Sequence, residues 1–128
     1  TRSMMEMKHE IIESYFKLIQ KLISKNGFFL CINRYYKDTV GYPVEFNNYP
    51  YDQYWRVLTS KTSWMQNTIH FLLVKRTNVK NKEISIELDN IKKISKKIRL
   101  SDKFFVRRVL PNYIYKLYKK TKFFLWNK

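Results

Sequence analysis

Two side chains of this sequence are candidates to take a proton. His70 sits in Ile69-His70-Phe71-Leu72-Leu73-Val74, and an imidazole titrates near neutral pH, which suits a general base. Glu6 closes Ser3-Met4-Met5-Glu6, and its carboxylate can act as a base or hold a hydroxyl. Both also have plainer readings. A lone histidine on a strand is commonly structural. Ser3 and Glu6 have the S-x-x-E spacing of a capping box, in which each side chain satisfies the other's backbone N–H. Asn33 and Arg34 follow the apolar run Phe28-Phe29-Leu30-Cys31-Ile32; such donors suit hydroxyl and phosphate oxygens, or anchor a loop. Tyr49, Tyr51, Trp55 and Trp64 offer flat faces for a ring ligand, and equally the bulk to fill a core. Cys31, inside the apolar run, reads as inert packing, and His9 as a solvent-facing helix residue. A single cysteine excludes a disulfide framework or a cysteine-rich zinc site within the chain. The two glycines, Gly27 and Gly41, leave no glycine-rich phosphate loop.

These residues need elements to hold them. Ile11, Ile12, Tyr15, Phe16, Ile19, Leu22 and Ile23 recur at helical spacing, which predicts a helix from Ser3 or, a turn later, from near Lys8. Asn26-Gly27 stops it, with Gly27 free to take the left-handed conformation. The run Phe28 to Ile32 follows directly. Its unbroken apolarity predicts a strand buried on both faces and central in a sheet, the second half of a βαβ unit. Asn33, Arg34 and Tyr35 then lie at its carboxyl end, the edge where open α/β sheets bind ligands. Residues 36–53 are rich in turn formers, and their aromatics predict an ordered, packed loop. Residues 54–59 and 69–77 are strand-like, and their short connection makes them an antiparallel pair; the expected sheet is mixed. Beyond them Ile84, Leu88, Ile91, Ile94 and Ile98 predict a helix over 83–99. Ser101-Asp102 reads as a new helix start. Residues 113–126 form a last helix, aromatic at one end and flanked by lysines, as an interfacial helix requires.

The length bounds the chain to one domain or a piece of one. With 26 Lys/Arg against 10 Asp/Glu, the net charge is +16. Residues 1–77 carry +5 of this and residues 78–128 carry +11, which divides a front part from a basic helical tail at the polar stretch Thr77 to Lys82. An aromatic content of 17% is enough for a core and excludes global disorder. No apolar run is long enough to span a bilayer, and the first residues lack the pattern of a signal peptide. The expectation is a soluble or peripherally bound protein of a reducing compartment. So much positive charge attracts any polyanion. A small, non-catalytic basic protein for nucleic acid or an anionic membrane surface is therefore the alternative reading. No nucleic-acid motif is present, and the charge lies mostly in the tail.

The order of several short stretches resembles the C-terminal part of bacterial putative sugar O-methyltransferases. They are Thr1-Arg2-Ser3-Met4-Met5-Glu6-Met7, Tyr15-Phe16, Cys31-Ile32-Asn33-Arg34, Phe46-Asn47-Asn48-Tyr49-Pro50-Tyr51-Asp52, Trp55, and Ser63-Trp64 through His70. The resemblance covers residues 1–77. It implies a Rossmann-like α/β enzyme that uses S-adenosylmethionine to methylate a sugar hydroxyl in surface polysaccharide assembly. The chain would hold the end of the fourth strand, the helix after it, the fifth strand, and the antiparallel sixth and seventh. The cofactor-binding elements would lie upstream, so the chain is expected to be a fragment, inactive alone. By the same resemblance Glu6 or His70 is the base. Arg2, Ser3, Asn33 and Arg34 lie at strand ends near the reacting groups and hold the sugar or a lipid-linked glycan, and Tyr49, Tyr51, Trp55 and Trp64 stack on it. It implies a cytoplasmic location, peripheral at the inner face of the membrane where the 78–128 tail meets anionic lipid.

Overall fold

The computed structural model describes residues 2–38 and 43–109, with side chains from residues 4–38 and 43–100. A short 3-10 turn, Arg2–Glu6, precedes the first helix, α1 (His9–Leu22). Then come β1 (Phe28–Arg34), β2 (Tyr36–Lys37), β3 (Val44–Glu45), a second 3-10 turn (Phe46–Asn48), β4 (Trp55–Thr62), β5 (Ile69–Arg76) and α2 (Glu83–Val109). The helix thus takes the later of its two predicted starts. Its amphipathic pattern puts Ile12 and Phe16 in the core. Glu10 in its first turn and Lys21 in its last both oppose the helix dipole favourably.

The turn from α1 into β1 corrects one expectation. The left-handed residue is Asn26, with φ of 68°, rather than Gly27; asparagine is among the few residues that tolerate that region. Gly27 is needed for space instead. A Cβ there would lie 2.6 Å from Ile23 Cγ2 and 3.0 Å from the Ser24 carbonyl oxygen. The turn is also tied to β5, since Asn26 N–H donates to Arg76 O at 3.0 Å and Arg76 N–H to Gly27 O at 2.8 Å. Gly27→Ala is therefore expected to cost about 1–3 kcal/mol by overpacking, read from the urea midpoint at constant slope. An unchanged midpoint would mean that Ile23 simply moves aside.

The main sheet has the order β1-β5-β4, with both neighbouring pairs antiparallel. The antiparallel pair expected from the sequence forms as β4 and β5. The place of β1 differs from expectation: among the described residues it is an edge strand, and β5 holds the centre. Among the described residues the sheet is wholly antiparallel rather than mixed, and no parallel βαβ pair occurs. Cys31 and Asn33 are buried, but Phe28 and Leu30 on the opposite face are exposed. An unbroken apolar run does not reveal whether both faces are covered.

Strand register gathers the core on one face. Phe29, Cys31 and Asn33 of β1, Trp55, Ser60 and Thr62 of β4, and His70, Leu72 and Val74 of β5 share it. A β-bulge between Val57 and Thr59 shifts the register of β4 by one residue and keeps both of its halves on that face. Phe16 of α1 caps this face, with ring centroids 4.7 Å from Tyr51, 5.5 Å from Tyr49 and 6.0 Å from Phe29.

Helix α2 is continuous through Ser101-Asp102, where the sequence suggested a fresh start. The pair resembles a cap, but no glycine or proline breaks the helix before Pro111. Residues 1–95 and 96–128 form two compact units. The first turns of α2 go with the first unit and pack against the sheet. Ile84 and Ile91 are buried, and Glu83 accepts from the backbone N–H of Val57 at 3.2 Å. The expected helix at 113–126 lies outside the described residues. Among those described, no helix is long and apolar enough to cross a membrane.

Candidate active-site end of the sheet

Three chain segments meet where β1 ends. Arg34 stands opposite Ile69, and the Tyr35 N–H donates to Thr68 O at 2.9 Å. The end of β1 therefore lies beside the β4–β5 turn and leads straight into β2. The first 3-10 turn packs against β1, pinned by buried Met4 and Met5. It carries exposed Glu6, whose carboxylate meets Lys37 Nζ of β2 at 2.5 Å. The hydrogen bond and the charge of Lys37 lower the Glu6 pKa from its ordinary value, and Arg34 adds to this. The group is a carboxylate at neutral pH, open to solvent and flanked by cations. It can accept a proton or a hydroxyl hydrogen bond. Arg2 and Ser3 lie in the same 3-10 turn; their side chains are outside those described. His9 is exposed, and its Nε2 is 3.2 Å from Pro43 O. It ties α1 to the segment entering β3 instead of standing alone.

Asn33 and Arg34 separate by strand alternation. Asn33 is buried and donates from Nδ2 to Cys31 Sγ at 3.5 Å, so it belongs to the core. Only Arg34 joins Glu6. Cys31 is buried as expected, and burial pushes its thiol pKa up.

His70 occupies the interior of a hydrogen-bond chain. Its Nδ1 is 2.9 Å from Tyr35 OH, and its Nε2 is 2.9 Å from Ser60 Oγ. Ser60 donates to the Glu87 carboxylate on α2, and Tyr35 OH is 2.6 Å from Thr62 Oγ1. With the ring neutral, these contacts admit one direction for every proton. Because Ser60 gives its hydrogen to Glu87, it must accept from His70 Nε2–H; Nδ1 then accepts from Tyr35, and Tyr35 from Thr62. Burial drives the imidazole pKa down to about 4, against a smaller upward pull from Glu87. The neutral ring is 1% exposed, lies edge-on to Phe46 and has both nitrogens engaged. It ties β5 to the end of β1 and, through Ser60, to β4 and α2.

The four expected stacking residues also divide. Tyr49 and Trp55 are buried, and Tyr51 packs edge-on against Phe16 and Trp55. Burial pushes the Tyr49 and Tyr51 phenols upward. Trp55 Nε1–H donates to Gln20 Oε1 at 3.1 Å, and Arg76 lies over its ring at 4.8 Å while paired with Asp52. Trp64 alone is open, 92% exposed in the β4–β5 turn. The sequence reading missed Lys37 as a partner of Glu6, and Ser60 and Glu87 as partners of His70, all of them more than nine residues distant along the chain.

Among the described residues no cluster of His, Cys, Asp and Glu can hold a metal. Gly27 is taken up by close packing against Ile23 and the Ser24 carbonyl. Comparison with protein-family models, with curated proteins and with solved structures finds no match for this chain.

Proposed function

We propose that this chain is the acceptor-holding part of an S-adenosylmethionine-dependent O-methyltransferase acting on a sugar hydroxyl, with the cofactor held by further strands that continue the sheet past β1. The observation that carries the reading is the convergence of the first 3-10 turn, Glu6, Arg34 and Lys37 at the carboxyl end of β1. Carboxyl ends of strands are where open α/β sheets bind ligands. In this reading Arg34 orients hydroxyl or phosphate oxygens of the acceptor, and Lys37, paired with Glu6, holds that carboxylate in place. Glu6 takes the hydroxyl proton as the oxygen becomes nucleophilic. When bound, the cofactor would supply the methyl group, from elements that this reading places outside the described residues.

Two further features support a sheet that continues. The bond from Tyr35 N–H to Thr68 O sets the alternation of β1, so Phe28, Leu30 and Ile32 turn their backbone groups away from β5. Ile11, Tyr15, Leu18 and Leu22 form an exposed apolar flank on α1. Gln20, on the opposite flank, bonds to Trp55 and Asp52 of the β4 side, which turns the apolar flank toward β1. One added strand and one added helix would cover both. The remaining topology also agrees with a sheet ending in an antiparallel sixth and seventh strand: β1 and β4 run in the same direction, with β5 inserted between them.

The test is binding to the full chain. Titrated with sugars and sugar phosphates, it is expected to show NMR shifts at Glu6, Arg34 and Lys37, with affinity falling about tenfold in Arg34→Ala, the loss of one charge-assisted pair. Calorimetry with S-adenosylmethionine is expected to show no heat of binding. Stoichiometric cofactor binding would overturn the division of labour, and a sugar panel that shifts no residue at this end would overturn the acceptor role.

A further inference from the structure

The turn between β4 and β5 presents the two most exposed large apolar side chains among the described residues, Trp64 at 92% and Met65 at 78%. The turn is not loose. Ser63 N–H donates to Ile69 O at 2.8 Å, and Ile69 N–H to Gln66 O at 3.0 Å. A built turn that holds a tryptophan and a methionine out into water gains nothing for the fold, since leaving large apolar surface in water forgoes its burial.

The surroundings indicate what covers these side chains. Residues 63–68 contain no acidic side chain, and exposed Lys61 stands immediately before them on β4. Arg34 lies at the same end of the sheet, beside the Glu6–Lys37 ion pair, and the whole chain carries +16. A sugar platform needs polar groups converging on the indole within a concave site, whereas here the indole is presented outward beside a thioether. An indole prefers the headgroup level of a bilayer, a methionine the acyl boundary below it, and nearby lysines attract anionic headgroups.

We infer that the β4–β5 turn is a membrane-surface anchor, in which Trp64 and Met65 enter the interface of an anionic bilayer and Lys61 meets its headgroups. The inference is independent of the acceptor site. It would set the end of β1 at headgroup height, within reach of a lipid-linked substrate.

Vesicles test it directly. The full chain is expected to sediment with vesicles of phosphatidylcholine and phosphatidylglycerol but not of phosphatidylcholine alone. The double variant Trp64→Ala/Met65→Ser should bind about tenfold more weakly with the same thermal midpoint, because neither side chain packs in the fold. In a Trp126→Phe background, where Trp55 is buried, the emission of Trp64 should shift to the blue with anionic vesicles and be quenched by brominated lipid. The inference is overturned if the wild-type chain does not bind anionic vesicles, or if the double variant binds as well as wild type, which would leave the attachment to charge elsewhere. It is equally overturned if Trp64 emission answers to soluble sugar and not to vesicles.

Discussion

Acidification from pH 7 to pH 4 is expected to remove up to about 3 kcal/mol of folding stability through His70 alone, and His70→Gln is expected to abolish that part of the pH dependence. The folded imidazole has a pKa of about 4 against an ordinary 6.5. An unfolded chain therefore binds a proton in this window that the folded chain refuses. Stability is complete above about pH 6.5, falls as the pH drops, and levels off once the pH is below about 4. The refusal has a structural cause. The ring is buried, and Nδ1 is held as an acceptor for Tyr35. Protonating Nδ1 sets two hydrogens against each other unless Tyr35 OH turns away and gives up that bond. Glutamine at position 70 can offer both a donor and an acceptor to Ser60 and Tyr35 but does not titrate. Urea unfolding of both proteins between pH 7 and pH 4 measures the difference. Parallel curves for the two would show that His70 carries none of the acid sensitivity.

The same histidine shows how far the sequence could be read. His70 alternates with Leu72 and Val74, two apolar residues two and four positions on. That period of two already placed it on an inward face. What the alternation could not supply was its partners. Tyr35, Ser60 and Glu87 come from the end of β1, from β4 and from α2, and only the folded register brings them together. Glu6 and Lys37 are likewise separated by a helix and a strand. The β4–β5 pair was legible because both strands are strongly patterned and their connection is short. The edge position of β1 was not, because Phe28 to Ile32 would read the same in the centre of a sheet. Trp55 and Trp64 illustrate both cases. Trp55 opens a strand whose alternation points it inward, while Trp64 lies among Ser63, Gln66 and Asn67 in a turn. Residue type made them equal candidates for stacking, and local context separated them.

That separation leads to the second large effect, a contrast between the two tryptophans. Trp55→Ala is expected to destabilise the fold by about 3–5 kcal/mol, the usual range for deleting a buried aromatic, whereas Trp64→Ala should stay within about 0.5 kcal/mol of wild type. Trp55 is fully buried, with ring centroids 6.2 Å from Phe29 and 6.3 Å from Tyr51. Its loss opens a cavity bounded by aromatic rings, which close over a gap less readily than flexible aliphatic chains. The loss extends to polar groups. Gln20 Oε1 would lose the indole N–H but keep the backbone N–H of Asp52 at 2.7 Å. Arg76 would lose the indole face but keep Asp52 and the ring of Tyr54 at 5.5 Å. Neither group is orphaned, so most of the cost is cavity and packing. It follows that Trp55→Phe, which restores a ring without the N–H, should recover more than half of the loss. If phenylalanine recovered little, the hydrogen bond to Gln20 would outweigh packing. A Trp55→Ala midpoint close to wild type would instead place this residue outside the core and return it to the candidates for ligand contact. Domains of this kind are stable by only about 5–15 kcal/mol, so the alanine variant is expected to lose a large share of its cooperative transition at 37 °C, while the Trp64 variant keeps all of it.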